Sequence, residues 1–275
     1  MMNEDEAMGM FMGLFVGDAI GAPLEFTKPN LGAPVSTMIG GGVHGVAPGE
    51  WTDDGAMALC IADAYINKGE FCASTIQKNF RDWRNTGKFG TRDHCFDVGI
   101  TVTGALDRVK HIEHPYTGST DPQTSGNGCI MRMAPCVIWN RHSLNAAIGD
   151  SVAQCILTHG STDSIRYTAA LAHELWVGKP LPENDRLRDR AIKNSGYVAD
   201  TYASAWHSVL TTDNFQDAMV DAINRGGDAD TVGAVTGMIA GRLYGCKAME
   251  GLADQLVSSA ALRQMGKRLW NNTND

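Results

Sequence analysis

Gly9, Gly13, Gly17 and Gly21 recur every four residues near the start of the chain, and Gly233, Gly237, Gly241 and Gly245 repeat that spacing near its end. A four-residue step stays on one side of an α-helix, and a row without side chains lets another backbone approach closely. The two rows predict two helices, each packed backbone to backbone against a neighbour. Glycine is correspondingly abundant, at 31 of 275 residues, and it is placed rather than scattered. The second row is too short to span a bilayer and carries Arg242, so it reads as a buried helix of a soluble protein. The stretch from Ala7 to Leu24 is apolar, but Asn3-Glu4-Asp5-Glu6 stands where an export signal has basic residues, and Asp18 interrupts the run. Both an export signal and a membrane span are therefore rejected.

Ala-rich periodic segments near 54 to 67, 97 to 109, 144 to 157, 164 to 177, 200 to 210 and 215 to 224 read as further helices. No long strand is expected. Thr37 to Val46 is Gly-rich and apolar but lacks strict alternation, and Ile112 to Gln123 reads as a loop of Pro, Thr and Asp. The expected fold class is all-α, as a single domain over 1–275, with the long loops 25 to 52 and 110 to 128 as functional candidates. With 43% hydrophobic residues the chain can bury a core without disulfides. Its seven cysteines are dispersed with no C-x-x-C pair, which fits reduced thiols in the cytoplasm. A net charge of -8 repels nucleic acid and anionic membrane, so neither is expected as a partner; a cytoplasmic monomer is the expected state.

Thr52-Asp53-Asp54-Gly55 precedes an apolar helix, which makes Thr52 a natural N-cap and puts both aspartates in the first turn. Taken alone this is ordinary helix-start chemistry, because acids there complement the macrodipole. The chain does it twice, however. Gly226-Gly227-Asp228-Ala229-Asp230-Thr231 opens the second glycine-rowed helix with two carboxylates and a hydroxyl, after glycines that permit positive φ. Four carboxylates in one pocket would repel unless cations neutralised them. Only oxygen ligands are on offer in these two segments, which favours a pair of hard divalent cations over zinc. Such a site requires two segments some 175 residues apart to meet.

A third segment, Thr124-Ser125-Gly126-Asn127-Gly128-Cys129, leads into Met131-Arg132-Met133-Ala134-Pro135. Gly-Asn-Gly can free backbone N–H groups for an anion such as a diphosphate, although taken alone it is ordinary tight-turn chemistry.

Together these segments resemble the ADP-ribosylglycohydrolase family, which includes the dinitrogenase-reductase-activating glycohydrolases. The matching stretches are Gly17-Asp18-Ala19-Ile20-Gly21-Ala22-Pro23-Leu24-Glu25-Phe26, Trp51 to Gly55, Asp97-Val98-Gly99-Ile100-Thr101, Thr124 to Arg132, Thr158-His159, Gly196 to Thr201, and Gly226 to Thr231. They follow the family's order and run over nearly the whole chain. The resemblance implies an all-α fold and a metal-dependent hydrolase that releases ADP-ribose from a modified protein side chain, arginine or serine, or from a small ADP-ribosyl conjugate. It implies two Mg²⁺ ions, with Mn²⁺ as the alternative, on Thr52, Asp53, Asp54, Asp228, Asp230 and Thr231. Glu25 would sit above the metals and handle water or gate the substrate, and Asp97 would lie near the scissile ribose. Thr124, Gly126, Asn127 and Gly128 would hold the diphosphate, and His159 and Tyr197 would line the cleft.

Three positions depart from the family's usual pattern. Val102 stands where a second Thr is common, Cys129 replaces a Ser or Ala, and Ser125 occupies a place where some relatives stack an aromatic on adenine. Two other readings compete: a non-catalytic ADP-ribose or nucleotide binder, and a Mg²⁺-dependent phosphohydrolase or prenyl-diphosphate enzyme. The complete acidic set and Glu25 argue against the first. The second needs a motif such as Asp-Asp-x-x-Asp, and Gly55, Ala56 and Met57 follow Asp53-Asp54 instead.

Overall fold

The structure is a computed structural model in which residues 2–30, 32–110, 114–180 and 191–271 are described. Residues 111–113 of the expected loop 110 to 128, and the ends of the expected single domain, lie outside that set. Helix α1 (Glu4–Gly21) opens with a capping box, in which the Glu6 N–H donates to Asn3 Oδ1 at 3.0 Å and the Asn3 N–H donates to Glu6 Oε2 at 2.8 Å. The acidic flank seen in the sequence is thus a helix start. From Ala7 to Gly21 every residue of α1 is buried, as expected of a helix that is apolar on all sides. Glu4–Leu24 is long and apolar enough to cross a membrane by composition, and here 94% of that apolar window is buried inside the fold.

The partner of α1 is α10 (Ala229–Tyr244). A Cβ built on Gly9, Gly13 or Gly17 would fall onto the carbonyl of Gly241, Gly237 or Gly233 respectively, and the reverse holds for the other row. The two rows therefore face each other, antiparallel, with backbone in contact with backbone. This register carries the end of α1 to the start of α10, where a Cβ on Gly21 would meet Ala229 and Asp230.

Around this pair lie α2 (Asp53–Lys68), α3 (Ala73–Thr86), α4 (Ile100–Arg108), α5 (Ala134–Trp139), α6 (Leu144–Ile156), α7 (Thr162–Val177), α8 (Val198–Leu210), α9 (Phe215–Ile223), α11 (Glu250–Ala253) and α12 (Ser259–Trp270). Among the described residues there is no strand, and the three isolated bridges, Gly41 with Val46, Ser119 with His159 and Gly126 with Tyr197, only fasten loops. All seven cysteines are free. One helix expected from periodicity starts late: α4 begins at Ile100, with Gly99 as its extended N-cap, so Asp97 stands ahead of the helix on a loop.

Candidate functional site

Asp18, in the last turn of α1, is fully buried. Its carboxylate accepts the N–H of Thr52 at 3.0 Å and that of Gly55 at 2.9 Å. An acid of one helix thus caps the start of another, where orphan N–H groups need an acceptor. The Thr52 hydroxyl, expected to do this, makes no cap bond. It donates instead toward Asp54 Oδ2 at 3.2 Å and lies 3.4 Å from Asp230 Oδ2. Because Asp18 has already satisfied the helix start, Thr52 is released to face the carboxylates.

The two Asp/Thr segments meet. Thr231 Oγ1 lies 3.5 Å from Asp54 Oδ2, which closes a second contact between residues 177 positions apart. Gly226 and Gly227 have φ of 65° and 63°, the left-handed turn that the sequence suggested. It lets Gly227 exchange backbone hydrogen bonds with Phe26 and Thr27 at 2.6 and 2.9 Å, which ties the Glu25 loop to the start of α10. Asp54 Oδ1 and Asp230 Oδ1 are buried without a hydrogen-bond partner. Orphaned carboxylate oxygens beside two hydroxyls form an oxygen-only donor set that fits hard divalent cations.

Burial drives the titration of this cluster, reinforced by neighbouring acids. It raises Asp18 to about 7, Asp53 to about 6, Glu25 to about 8 and Asp97 to about 9, and holds Asp54 and Asp230 well above the carboxylate range. The unfolded chain releases these protons near pH ~4, so between there and about 9 the cation-free fold binds more protons than the unfolded state. This contribution to stability is complete below pH ~4 and is lost as pH rises through the folded values. The urea midpoint of EDTA-treated protein is expected to fall between about pH 5 and about pH 9, and saturating Mg²⁺ should flatten the slope. A midpoint that stays level over that range would mean the carboxyls are already ionised in the fold.

Beside the cluster opens a cleft of about 420 Å³, lined by Glu25, Asp53, Asp97, Gly126, Asn127, Gly128, His159, Asp228, Asp230 and Thr231, with Phe26 and Ile100 on its wall. Phe26 and Ile100 are 71% and 92% exposed. Thr124 and Tyr197 do not line it, unlike the expectation. The Thr124 hydroxyl donates to the Asp121 carbonyl at 2.7 Å, closing its own turn, and the Tyr197 hydroxyl donates to Asp163 at 2.6 Å. Asn127 lines the cleft, but its side-chain amide donates to Asp228 at 2.8 Å and to Thr201 at 2.9 Å, so it orients an acidic residue. The backbone N–H groups of Gly126 and Asn127 are bonded to Thr124 and Gly196. Neither Gly126 nor Gly128 has positive φ; a Cβ on either would press on the His159 ring at 3.0 or 2.9 Å. The Gly-Asn-Gly segment therefore makes room for His159 rather than offering those two amides to an anion. Ser125 is buried and bonded to Ser161, with no aromatic in its place.

His159 is held by a buried relay. Arg132 Nη2 donates to Thr158 Oγ1 at 2.7 Å, and that hydroxyl is 2.8 Å from His159 Nδ1. Burial, with Arg132 nearby, lowers His159 to about 3, so its ring is neutral. Thr158 accepts from Arg132 and is best satisfied by donating to Nδ1, which leaves the His159 Nε2–H as a donor at the cleft. At the mouth, His44 Nε2 stands 3.0 Å from Glu25 Oε2 and 3.6 Å from Asp97 Oδ2. Spacing alone singles out neither His44 nor Arg132 as a site residue, and it marks Asp18 only as a break in an apolar run.

The sequence profile of the ADP-ribosylglycohydrolase family matches residues 2–190 and 171–275. The chain is 36% identical to ADP-ribosylarginine hydrolase Tri1 of Serratia proteamaculans (strain 568), over 97% of this chain and 79% of that protein. It is 30% identical to the ADP-ribosyl-(dinitrogen reductase) glycohydrolase of Rhodospirillum rubrum, over 88% of this chain and 86% of that one. A solved structure described as an ADP-ribosylglycohydrolase-related protein complex superimposes with a TM-score of 0.84 at 29% identity, covering 98% of both chains.

Proposed function

The chain belongs to the ADP-ribosylglycohydrolase family, and from that premise we propose that it hydrolyses the bond between ADP-ribose and a modified arginine side chain of a protein. The observation that carries this reading is the meeting of two buried Asp/Thr helix starts, with unpartnered Asp54 and Asp230 oxygens, beside a cleft that Glu25 and Asp97 overlook. The choice of arginine over serine rests on the ADP-ribosylarginine hydrolases among its relatives. Thr52, Asp53, Asp54, Asp228, Asp230 and Thr231 would hold two Mg²⁺ or Mn²⁺ ions, which supply charge stabilisation and a water of lowered pKa at the ribose.

The protein's own groups do the rest. Asp97 and Glu25, raised by burial and by neighbouring acids, are poised to hold or release a proton at the mouth of the cleft. Cleavage at the anomeric carbon builds positive charge on the ribose, which the surrounding carboxylates stabilise. The oxygen of water bonds to the anomeric carbon as its bond to the guanidine nitrogen breaks, and a proton passes to that nitrogen, which gives free ADP-ribose and restores arginine. His159 Nε2–H offers a neutral donor to the oxygens of ADP-ribose, and exposed Phe26 and Ile100 supply apolar contact to the incoming substrate. The single-domain organisation, the monomeric state and the cytoplasmic location stay part of this proposal.

Incubation with arginine-modified and serine-modified peptides tests the reading by chromatography of the products. Free ADP-ribose and unmodified peptide are expected from the arginine substrate; release from the serine substrate alone would overturn the choice of side chain. Gly126→Val is expected to raise the dissociation constant for ADP-ribose at least ~10-fold, because the added side chain meets the His159 ring. Calorimetric titration at saturating Mg²⁺ checks this, and an unchanged constant would remove His159 and its neighbours from the binding surface.

A further inference from the structure

We propose that Glu25, His44 and Asp97 form a second kind of metal site, selective for a borderline cation such as Zn²⁺, at the mouth of the cleft. One donor atom from each residue lies within 4.8 Å of the other two. His44 Nε2 is 3.0 Å from the Glu25 oxygen and 3.6 Å from the Asp97 oxygen. Zn–N and Zn–O bonds of about 2.0 to 2.2 Å in a tetrahedron put neighbouring donors roughly 3.3 to 3.5 Å apart, and the two separations from His44 Nε2 bracket that value.

Independent of the acidic cluster itself, Glu25 is 7% exposed and its Oε2 has no hydrogen-bond partner. The facing His44 Nε2, on a side chain that is 19% exposed, also lacks a hydrogen-bond partner, so the two atoms stand at ion-pair distance with no hydrogen bond between them.

The histidine is built in rather than incidental. A bridge between Gly41 and Val46 closes the tip that carries it, with hydrogen bonds of 2.7 and 2.9 Å. Arg92 donates to the His44 and Gly45 carbonyls at 3.2 and 3.0 Å, and is itself paired with Glu50 at 2.7 Å. These bonds fix the backbone that carries the His44 ring, and the ring itself packs beside Phe96 with centroids 5.8 Å apart. Three protein ligands would leave a position open toward the cleft. The nitrogen donor sets this triad apart from the oxygen-only Asp/Thr set, because imidazole with carboxylate suits zinc and its neighbours whereas all-oxygen sets suit Mg²⁺. Zn²⁺ here would tie up Glu25 and Asp97. The consequence is reversible inhibition by zinc while the Asp/Thr set stays filled with Mg²⁺, and this consequence alone rests on the hydrolase reading.

Calorimetric titration of Zn²⁺ into the full chain at saturating Mg²⁺, with Co²⁺ as the spectroscopic probe, tests the site. Wild type is expected to take up one Zn²⁺ that excess Mg²⁺ does not displace, and Co²⁺ to give visible bands of a nitrogen-containing, low-coordinate centre. His44→Gln should weaken Zn²⁺ at least ~10-fold and abolish those bands, whereas His94→Gln, at an exposed His–Asp pair, should leave both in place. Asp97→Asn serves as a second test of the ligand set, and unchanged circular dichroism keeps a folding defect apart from ligand loss. Equal Zn²⁺ affinity in wild type and His44→Gln, loss in His94→Gln instead, or no uptake over Mg²⁺ would overturn the site. In the activity arm, the inhibitory Zn²⁺ concentration should rise in His44→Gln by the factor seen in binding. A chain that binds zinc as described but releases no ADP-ribose would leave the site standing and overturn the hydrolase reading.

Discussion

Removing divalent cations with EDTA is expected to abolish ADP-ribose release, with Mg²⁺ or Mn²⁺ restoring it, and Asp230→Ala is expected to lower kcat at least ~100-fold. The same substitution should leave the cation-free protein no less stable. Asp230 sits in the first turn of α10, with one carboxylate oxygen near the Thr52 hydroxyl and the other unpartnered in the interior. As a plain helix-start acid it would contribute only ~0.3 to 1 kcal/mol to the macrodipole, and its loss would not touch turnover. As a member of a buried cluster its charge is costly without a cation, because burial and then the Asp54 carboxylate hold its proton on. Its removal relieves that repulsion while taking away a ligand. Stability and activity should therefore move apart, read by urea denaturation in EDTA and by product release with Mg²⁺. Full activity in metal-stripped protein, or near-normal rates in the variant, would return the segment to ordinary helix-start chemistry.

The parts of this site that were legible in the sequence are those whose chemistry is local. Two Asp/Thr segments, the positive-φ glycines before the second and the two glycine rows are each written in a few adjacent residues. That the segments meet depends on pairing the rows with each other, antiparallel, which brings Gly21 to Ala229 and Asp230. The information was present in the matched four-residue spacing, but a row of glycines does not name its partner. His44 escaped because its loop lacks any regular period and is positioned by Arg92 from 48 residues away. Thr52 reads as an N-cap by the commonest use of its residue type, and the Gly-Asn-Gly segment reads as a diphosphate cradle or a tight turn. In both cases a tertiary partner, Asp18 for one and His159 for the other, changed what the side chain or the missing side chain was for. The helices Ala73–Thr86 and Ser259–Trp270 were not anticipated. Polar and charged side chains cover most of each, and the apolar contacts they bury come from narrow faces built on Ile76, Phe80 and Trp83 and on Leu262, Gly266 and Leu269.

Gly13→Ala should be among the most damaging single-methyl changes in the chain, destabilising the fold by about 3 kcal/mol or more. By helix propensity alone the substitution would be favourable, since alanine is preferred to glycine by ~1 kcal/mol in a helix interior. Gly149→Ala shows that baseline: Gly149 is exposed in α6 with nothing near its missing Cβ, and the change there should raise stability by ~0.5 to 1 kcal/mol. At Gly13 the methyl would fall onto the Gly237 carbonyl, which is backbone and belongs to a helix in contact with α1 along its length. Neither helix can yield locally, because Gly9 with Gly241 and Gly17 with Gly233 repeat the same contact one turn away on each side. The strain must be relieved by separating the helices or sliding them. Either movement shifts the end of α1, and with it the Asp18 cap of α2, away from Asp230. Gly13→Ala is therefore expected to weaken Mg²⁺ binding although residue 13 lies outside the site, whereas Gly149→Ala should leave it unchanged. Urea denaturation and calorimetric Mg²⁺ titration of both variants check this, and a Gly13→Ala protein as stable as wild type would mean that the two glycine rows are not in contact.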